Sequence, residues 1–149
     1  MDEQISVKPG SVYHIGCESD VMTAVMGTFA FARTLNFSST TTSEIATVVS
    51  ELATNIVKYA GEGRIELAEM IHGSACGIRV IASDRGPGIA QIEQALEEHF
   101  TTGGSLGMGL PGVKRMADEF QIESSVGRSS TEKSGTIVTV IKWGTSHAV

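Results

Sequence analysis

The sequence predicts an α+β fold: a two-layer α/β sandwich in which a mixed, mostly antiparallel sheet carries helices on one face. Three observations lead there. The 149 residues fit one domain at about 100–200 residues each. With 41% hydrophobic and 19% charged residues, the chain can build a core without disulfides or metals, and its composition excludes intrinsic disorder. Strand-like segments bracket segments of helical composition and return as a pair at the end, which is the element order of such a sandwich.

Residues 4–8 and 12–15 read as two short strands divided by the turn dipeptide Pro9-Gly10. After Ser19-Asp20 an apolar, alanine-rich stretch to about Asn36 has helical composition. A second helix is predicted from Thr41, where Thr41-x-x-Glu44 makes a capping box, to Ala60, with Gly61 to end it. Ile45, Val48, Val49, Leu52 and Ile56 recur along it at the spacing of a core-facing stripe. Arg64–Ile71 and Gly77–Ser83 come next as strands, the second with the apolar density of a central one. Ile89–His99 and Leu110–Phe120 read as helices, and Gln121–Val126 and Thr136–Lys142 as the closing strands.

The net charge of −6 provides no basic footprint for a phosphate backbone, so no nucleic-acid partner is expected. No apolar run reaches the ~18 residues of a membrane span. The start, Met1-Asp2-Glu3-Gln4, lacks the regions of a signal peptide. The expectation is a cytoplasmic chain with no membrane partner. Cys17 and Cys76 are isolated, with no Cys-x-x-Cys and no pairing of His14, His72, His99 or His147 at metal-ligand spacing, and both read as free, small buried hydrophobes.

Three segments carry candidate chemistry, and each also has a purely structural reading. At about 100° per residue, Glu51, Asn55 and Lys58 fall within roughly 60° of one another beside the core stripe. A carboxylate, an amide and an ammonium in one column supply a general base, a metal-ion ligand and a phosphate contact, or merely a solvated helix face. Asp84-Arg85-Gly86-Pro87-Gly88 ends the apolar strand. Its carboxylate suits an acceptor for an amino group such as that of adenine, or caps its own turn.

The third segment runs from Thr101 to Gly112 and includes Gly103, Gly104, Gly107, Met108 and Gly109. Its freed backbone N–H groups and the helix start beyond them suit an anion, or form a hinge with no ligand. Seven glycines fall within the 27 residues from 86 to 112, the densest part of an overall excess over the usual ~7%. Gly-x-x-x-x-Gly-Lys-Ser/Thr is absent. Gly107-Met108-Gly109-Leu110-Pro111-Gly112 satisfies Gly-x-Gly-x-x-Gly but comes after a Thr/Gly run rather than a strand, which argues against a dinucleotide fold.

Taken in order, Glu51-Leu52-Ala53-Thr54-Asn55, Asp84 to Gly88 and Gly103 to Gly109 resemble the asparagine box and the two glycine boxes of the GHKL ATP-binding superfamily. Gly135-Thr136 resembles its final box. The finer resemblance is to the small bacterial serine/threonine kinases that regulate sigma factors, the stressosome switch kinases above all. It rests on the run Glu51 to Ala60, on Gly109-Leu-Pro-Gly-Val-Lys-Arg115 through Asp118-Glu-Phe120, and on Ile141-Lys-Trp143, and it spans about residues 5–143.

The resemblance implies ATP and Mg²⁺ as cofactors. Glu51 is then the base that takes a proton from a substrate hydroxyl, Asn55 the Mg²⁺ ligand, and Lys58 a contact near the phosphates. Asp84 accepts from adenine with Gly86 and Gly88 beside it and Thr136 nearby. Gly103, Gly104, Gly107, Met108 and Gly109 wrap the phosphates, and residues 90–106 form a short lid. The Gly127–Gly135 turn is longer than the group's pattern and leaves the alignment of Thr136 open. The implied partners are STAS-domain scaffold and antagonist proteins and a PP2C-type phosphatase. Three other readings stay open: an anti-sigma factor that binds a sigma factor and phosphorylates an anti-anti-sigma protein, a nucleotide-dependent binding switch, and a histidine-kinase-like phosphoryl transfer, although no dimerisation helix carrying a phospho-acceptor histidine is read in the sequence.

Overall fold

Alternation of apolar residues sets the sheet, and a stripe at helical spacing sets the layer above it. The computed structural model describes residues 4–89, 96, 109–127 and 134–144. Its elements are β1 (Ile5–Ile15), α1 (Glu18–Thr34), α2 (Ser39–Asn55), a π-helical turn (Ile56–Ala60), β2 (Gly63–His72), β3 (Ala75–Asp84), α3 (Gly109–Met116), β4 (Glu119–Ser125) and β5 (Gly135–Trp143). The five strands form one sheet in the order β1-β2-β3-β5-β4, and every described pairing is antiparallel. The predicted helix at Ile89–His99 lies almost wholly outside the described residues. Among these, no helix is long and apolar enough to cross a membrane.

Ile65 and Leu67 of β2, Ile78, Val80 and Ala82 of β3, and Val138 and Val140 of β5 share one buried face of the sheet. Onto that face α2 lays Ile45, Val48, Val49, Leu52 and, from the turn after it, Ile56, all at most 2% exposed. Burying each such side chain contributes about 1.5–3 kcal/mol. This stripe is what fixes the rotation of α2, and with it the direction in which its polar column points.

Four expectations shift. Residues 5–15 form one strand with a register irregularity between Pro9 and Val12. Pro9 lacks an N–H, which an edge strand tolerates, and Gly10 lies so close to the Phe31 ring and the Leu67 carbonyl that a Cβ would sit 2.8 Å from each. The N-cap of α2 is Ser38, whose side chain accepts from the Thr41 N–H at 3.1 Å. Thr41 is thus buried inside the first turn, and Glu44 pairs with Lys142 instead. The α-helix stops at Asn55 and gives way to the π turn, closed by Gly61 N–H donating to the Ile56 carbonyl at 2.9 Å. Finally, α3 ends at Met116: the Asp118 N–H donates to the Ile141 carbonyl, and Phe120 pairs with Val140 as the second residue of β4. Strand pairing overrides the helical spacing there.

The cysteines differ from each other. Cys17, expected in the core, is exposed, and Cys76 is half-buried. Burial pushes the Cys76 thiol up from its ordinary value, and the Glu69 carboxylate beside it adds to the shift. Because the thiolate is the nucleophile, iodoacetamide at mildly alkaline pH should label Cys17 well before Cys76. Peptide mass mapping over time checks this, and equal rates would contradict it.

Candidate functional site

α2 carries the first side of the site. Glu51 and Asn55 lie one turn apart, half-buried on the rim of the core stripe. Glu51 Oε2 accepts from the backbone N–H of Gly109 at 3.4 Å, a long and weak bond. Gly109 is the first residue of α3, so this carboxylate faces the positive end of that helix. Pro111, Gly112 and Val113 are buried and seat α3 beside α2.

β3 delivers the opposite end. Asp84, its last residue, folds one carboxylate oxygen back to accept from the Gly86 N–H at 2.9 Å. The capping reading of Asp84 therefore holds for Oδ1, while the other oxygen has no partner among the described residues and keeps its acceptor capacity. The turn after it is pressed from two sides. A Cβ on Gly86 would meet that of Ala60 at 2.6 Å, which sets the turn against the end of the π segment. Gly88 has φ +79°, and a Cβ there would run into the Ser125 carbonyl; glycine alone suits both constraints.

Strand pairing then sets three polar side chains abreast. Thr136 stands directly opposite Asp84 on the β3 side and opposite Ser124 on the β4 side. All three share the phase of Ala82, Val138 and Ile122, so they sit on the face covered by α2, at the open end of the core. The Ser124 and Thr136 hydroxyls are 2.8 Å apart, either one the donor.

The predicted residues thus fall into three groups. Glu51, Asn55 and Gly109 gather along α2 and the start of α3, and Asp84, Gly86, Gly88 and Thr136 gather at the ends of β3 and β5. Gly103, Gly104, Gly107 and Met108 lie outside the described residues, as does all of the 90–106 segment but Leu96. Lys58 departs from the column drawn for it. It sits within the π turn, which breaks the α-helical phase, and it is exposed with its Nζ 5.3 Å from the centre of the Tyr59 ring. Ser124 belongs to none of the motifs. Its available signal is its phase, a polar residue in the inward alternation of Phe120 and Ile122.

An acidic, amide-bearing helix laid over an antiparallel sheet, with an aspartate turn at one end and a helix N-terminus at the other, defines a class of ATP-binding domain. Residues 40–144 match the family described as Histidine kinase-, DNA gyrase B-, and HSP90-like ATPase, and the chain belongs to that family. It is 40% identical over 133 residues to the Serine/threonine-protein kinase RsbT of Bacillus subtilis (strain 168), covering 89% of this chain and 96% of that one. It is 34% identical over 120 residues to the Anti-sigma F factor of Thermoanaerobacter sp. (strain X514), covering 76% and 78% of the two chains. A chain from the crystal structure of the SiaB-SiaC complex of Pseudomonas aeruginosa shares the fold, with a TM-score of 0.66 at 9% identity and 91% coverage of each chain. The protein is a serine/threonine-protein kinase of the sigma-factor regulatory kind, and it uses ATP.

Proposed function

We propose that this kinase takes Mg-ATP and phosphorylates a serine or threonine of a STAS-domain protein in the cytoplasm and, once released from its STAS scaffold, binds and activates a PP2C-type phosphatase. The similarity to RsbT along almost the whole of both chains carries this reading. The resemblance of the Glu51 to Ala60 run and of the closing Ile141-Lys-Trp143 to the stressosome switch kinases supports it.

The residues fit the two groups that the reaction needs. Asn55 offers an amide oxygen, a hard donor of the kind Mg²⁺ accepts alongside nucleotide oxygens. The second carboxylate oxygen of Asp84 and the hydroxyl of Thr136 offer hydrogen bonds to the edge of adenine. Mg²⁺ neutralises charge on the transferring phosphoryl group. Glu51, facing the start of α3 from α2, takes the proton of the attacking hydroxyl. Gly103, Gly104, Gly107, Met108 and Gly109 are assigned to the phosphates with Lys58 approaching them, and backbone donors there add positioning without a basic surface.

The test is to incubate the protein with γ-labelled Mg-ATP and candidate STAS proteins. Label on a STAS serine or threonine is expected. No transfer to any STAS protein, together with stable co-purification with a sigma factor, would replace this reading by the anti-sigma one. The likeness to the Anti-sigma F factor favours that second reading, over a smaller share of the chain.

A further inference from the structure

Ser124 is the most connected side chain at the nucleobase end of the site, although no motif includes it. Its Oγ accepts from the Ile89 N–H at 2.7 Å, lies 3.1 Å from the Gly135 carbonyl oxygen and lies 2.8 Å from Thr136 Oγ1. It therefore joins the turn beyond Asp84 to the first two residues of β5. The same turn touches β4 again at Gly88, where a Cβ would come 3.3 Å from the Ser124 hydroxyl.

A serine hydroxyl has one proton and two lone pairs, so two arrangements satisfy these contacts. In one, Ser124 donates to the Gly135 carbonyl and accepts from Thr136, whose proton is thereby used. In the other, Ser124 donates to Thr136 and leaves the Thr136 proton free to turn toward the pocket. The first depends on a bond of 3.1 Å, beyond the usual length for O–H···O, whereas the hydroxyl pair at 2.8 Å has the usual one. The second arrangement exchanges the long bond for a bond to a ligand.

The two arrangements favour different bases. Adenine presents an amine, which a carboxylate receives, and beside it a ring nitrogen that accepts a hydrogen bond. Hypoxanthine presents a carbonyl and a ring N–H at the same places, the reverse polarity. With Asp84 receiving the amine, only a donating Thr136 completes the match. Resting on the reading of this pocket as the ATP site, we propose that Ser124 is a positioning residue that selects adenine: it ties the Gly86–Gly88 turn to β5 and aims the Thr136 proton at the ring nitrogen beside the amine.

The experiment measures ATP and ITP affinity by calorimetry, with the KM for ATP and kcat from phosphoryl transfer, in the full chain and its Ser124→Ala and Ser124→Thr variants. Losing the aimed proton and the tether should weaken ATP about tenfold, with most of the kinetic loss in KM, while ITP changes less than about threefold. The preference for ATP then shrinks. Ser124→Thr keeps the hydroxyl and should restore most of it. Equal weakening of both nucleotides, or unchanged ATP affinity, overturns the proposal. Should Ser124→Ala fail to fold, Ser124→Cys replaces it, and the same unequal response is required of it. Asp84→Asn separates the two levels of inference. If that variant weakens ATP while the Ser124 variants do not, the Ser124 assignment alone fails; if Asp84→Asn is also silent, the nucleobase site itself has been misplaced.

Discussion

Replacing Glu51 with alanine should lower phosphoryl transfer by about 10²–10⁴-fold at saturating ATP, the range expected when a positioned general base is removed. ATP affinity should stay within about threefold of the native value, because a carboxylate in the proposed role of base would act on the substrate hydroxyl in the transition state rather than on bound nucleotide. The bond lost from the Gly109 N–H, at 3.4 Å, is too long to hold α3 by itself when Val113 is fully buried beneath it. Single-turnover transfer to a STAS substrate, paired with calorimetric ATP titration, reads both quantities. Undiminished transfer would remove Glu51 from the mechanism, whereas a large loss of ATP affinity would make it a binding group.

The second large effect is expected at the other end of the site and in the other parameter. Asp84→Asn keeps an oxygen for the Gly86 N–H, so the turn survives, but it sets an amide N–H₂ or a neutral oxygen where adenine offers its amine. A hydrogen bond to a charged group contributes about 1.5–3 kcal/mol, so ATP affinity should fall about 10–100-fold, with transfer from bound ATP much less affected. Fluorescence or calorimetric titration measures it. Unchanged affinity would contradict the adenine assignment. With Glu51 assigned to transfer and Asp84 to binding, the two substitutions together should give nearly the sum of their separate effects.

The elements legible in the sequence are those whose cause is local. The stripe from Ile45 to Ile56 predicts which face of α2 is buried, and the apolar density of Gly77–Ser83 predicts a central strand, because burial on one or both faces leaves its period in the chain. The π turn has no such mark. Its five residues of wider hydrogen-bonded spacing leave the apolar stripe intact through Ile56, so only the altered phase of Lys58 and Tyr59 reveals it. The place of Phe120 is likewise undecidable locally, since its spacing suits the end of a helix as well as the start of a strand until Val140 is known to lie opposite.

The site divides along the same line. Asp84, Gly86 and Gly88 stand out as a motif because the turn's own conformation demands those residue types. That Thr136 lies beside Asp84 is a fact of register between strands far apart in sequence, and the longer Gly127–Gly135 turn obscures it. Ser124 is hidden more deeply, since one serine in an alternating strand acquires meaning only from the neighbours that pairing gives it.

β5 comes after β4 in the chain yet lies between β3 and β4 in the sheet. Until β5 has been synthesised, β3 presents a bare edge where Thr136 will stand, and β4 has no strand to pair with. The Asp84–Thr136 pair therefore comes into being with the last strand. On the proposed reading of the site, a ribosome-bound chain that has emerged only with α2 and the Asp84 turn lacks the Thr136 side of the adenine contact, which arrives together with completion of the sheet.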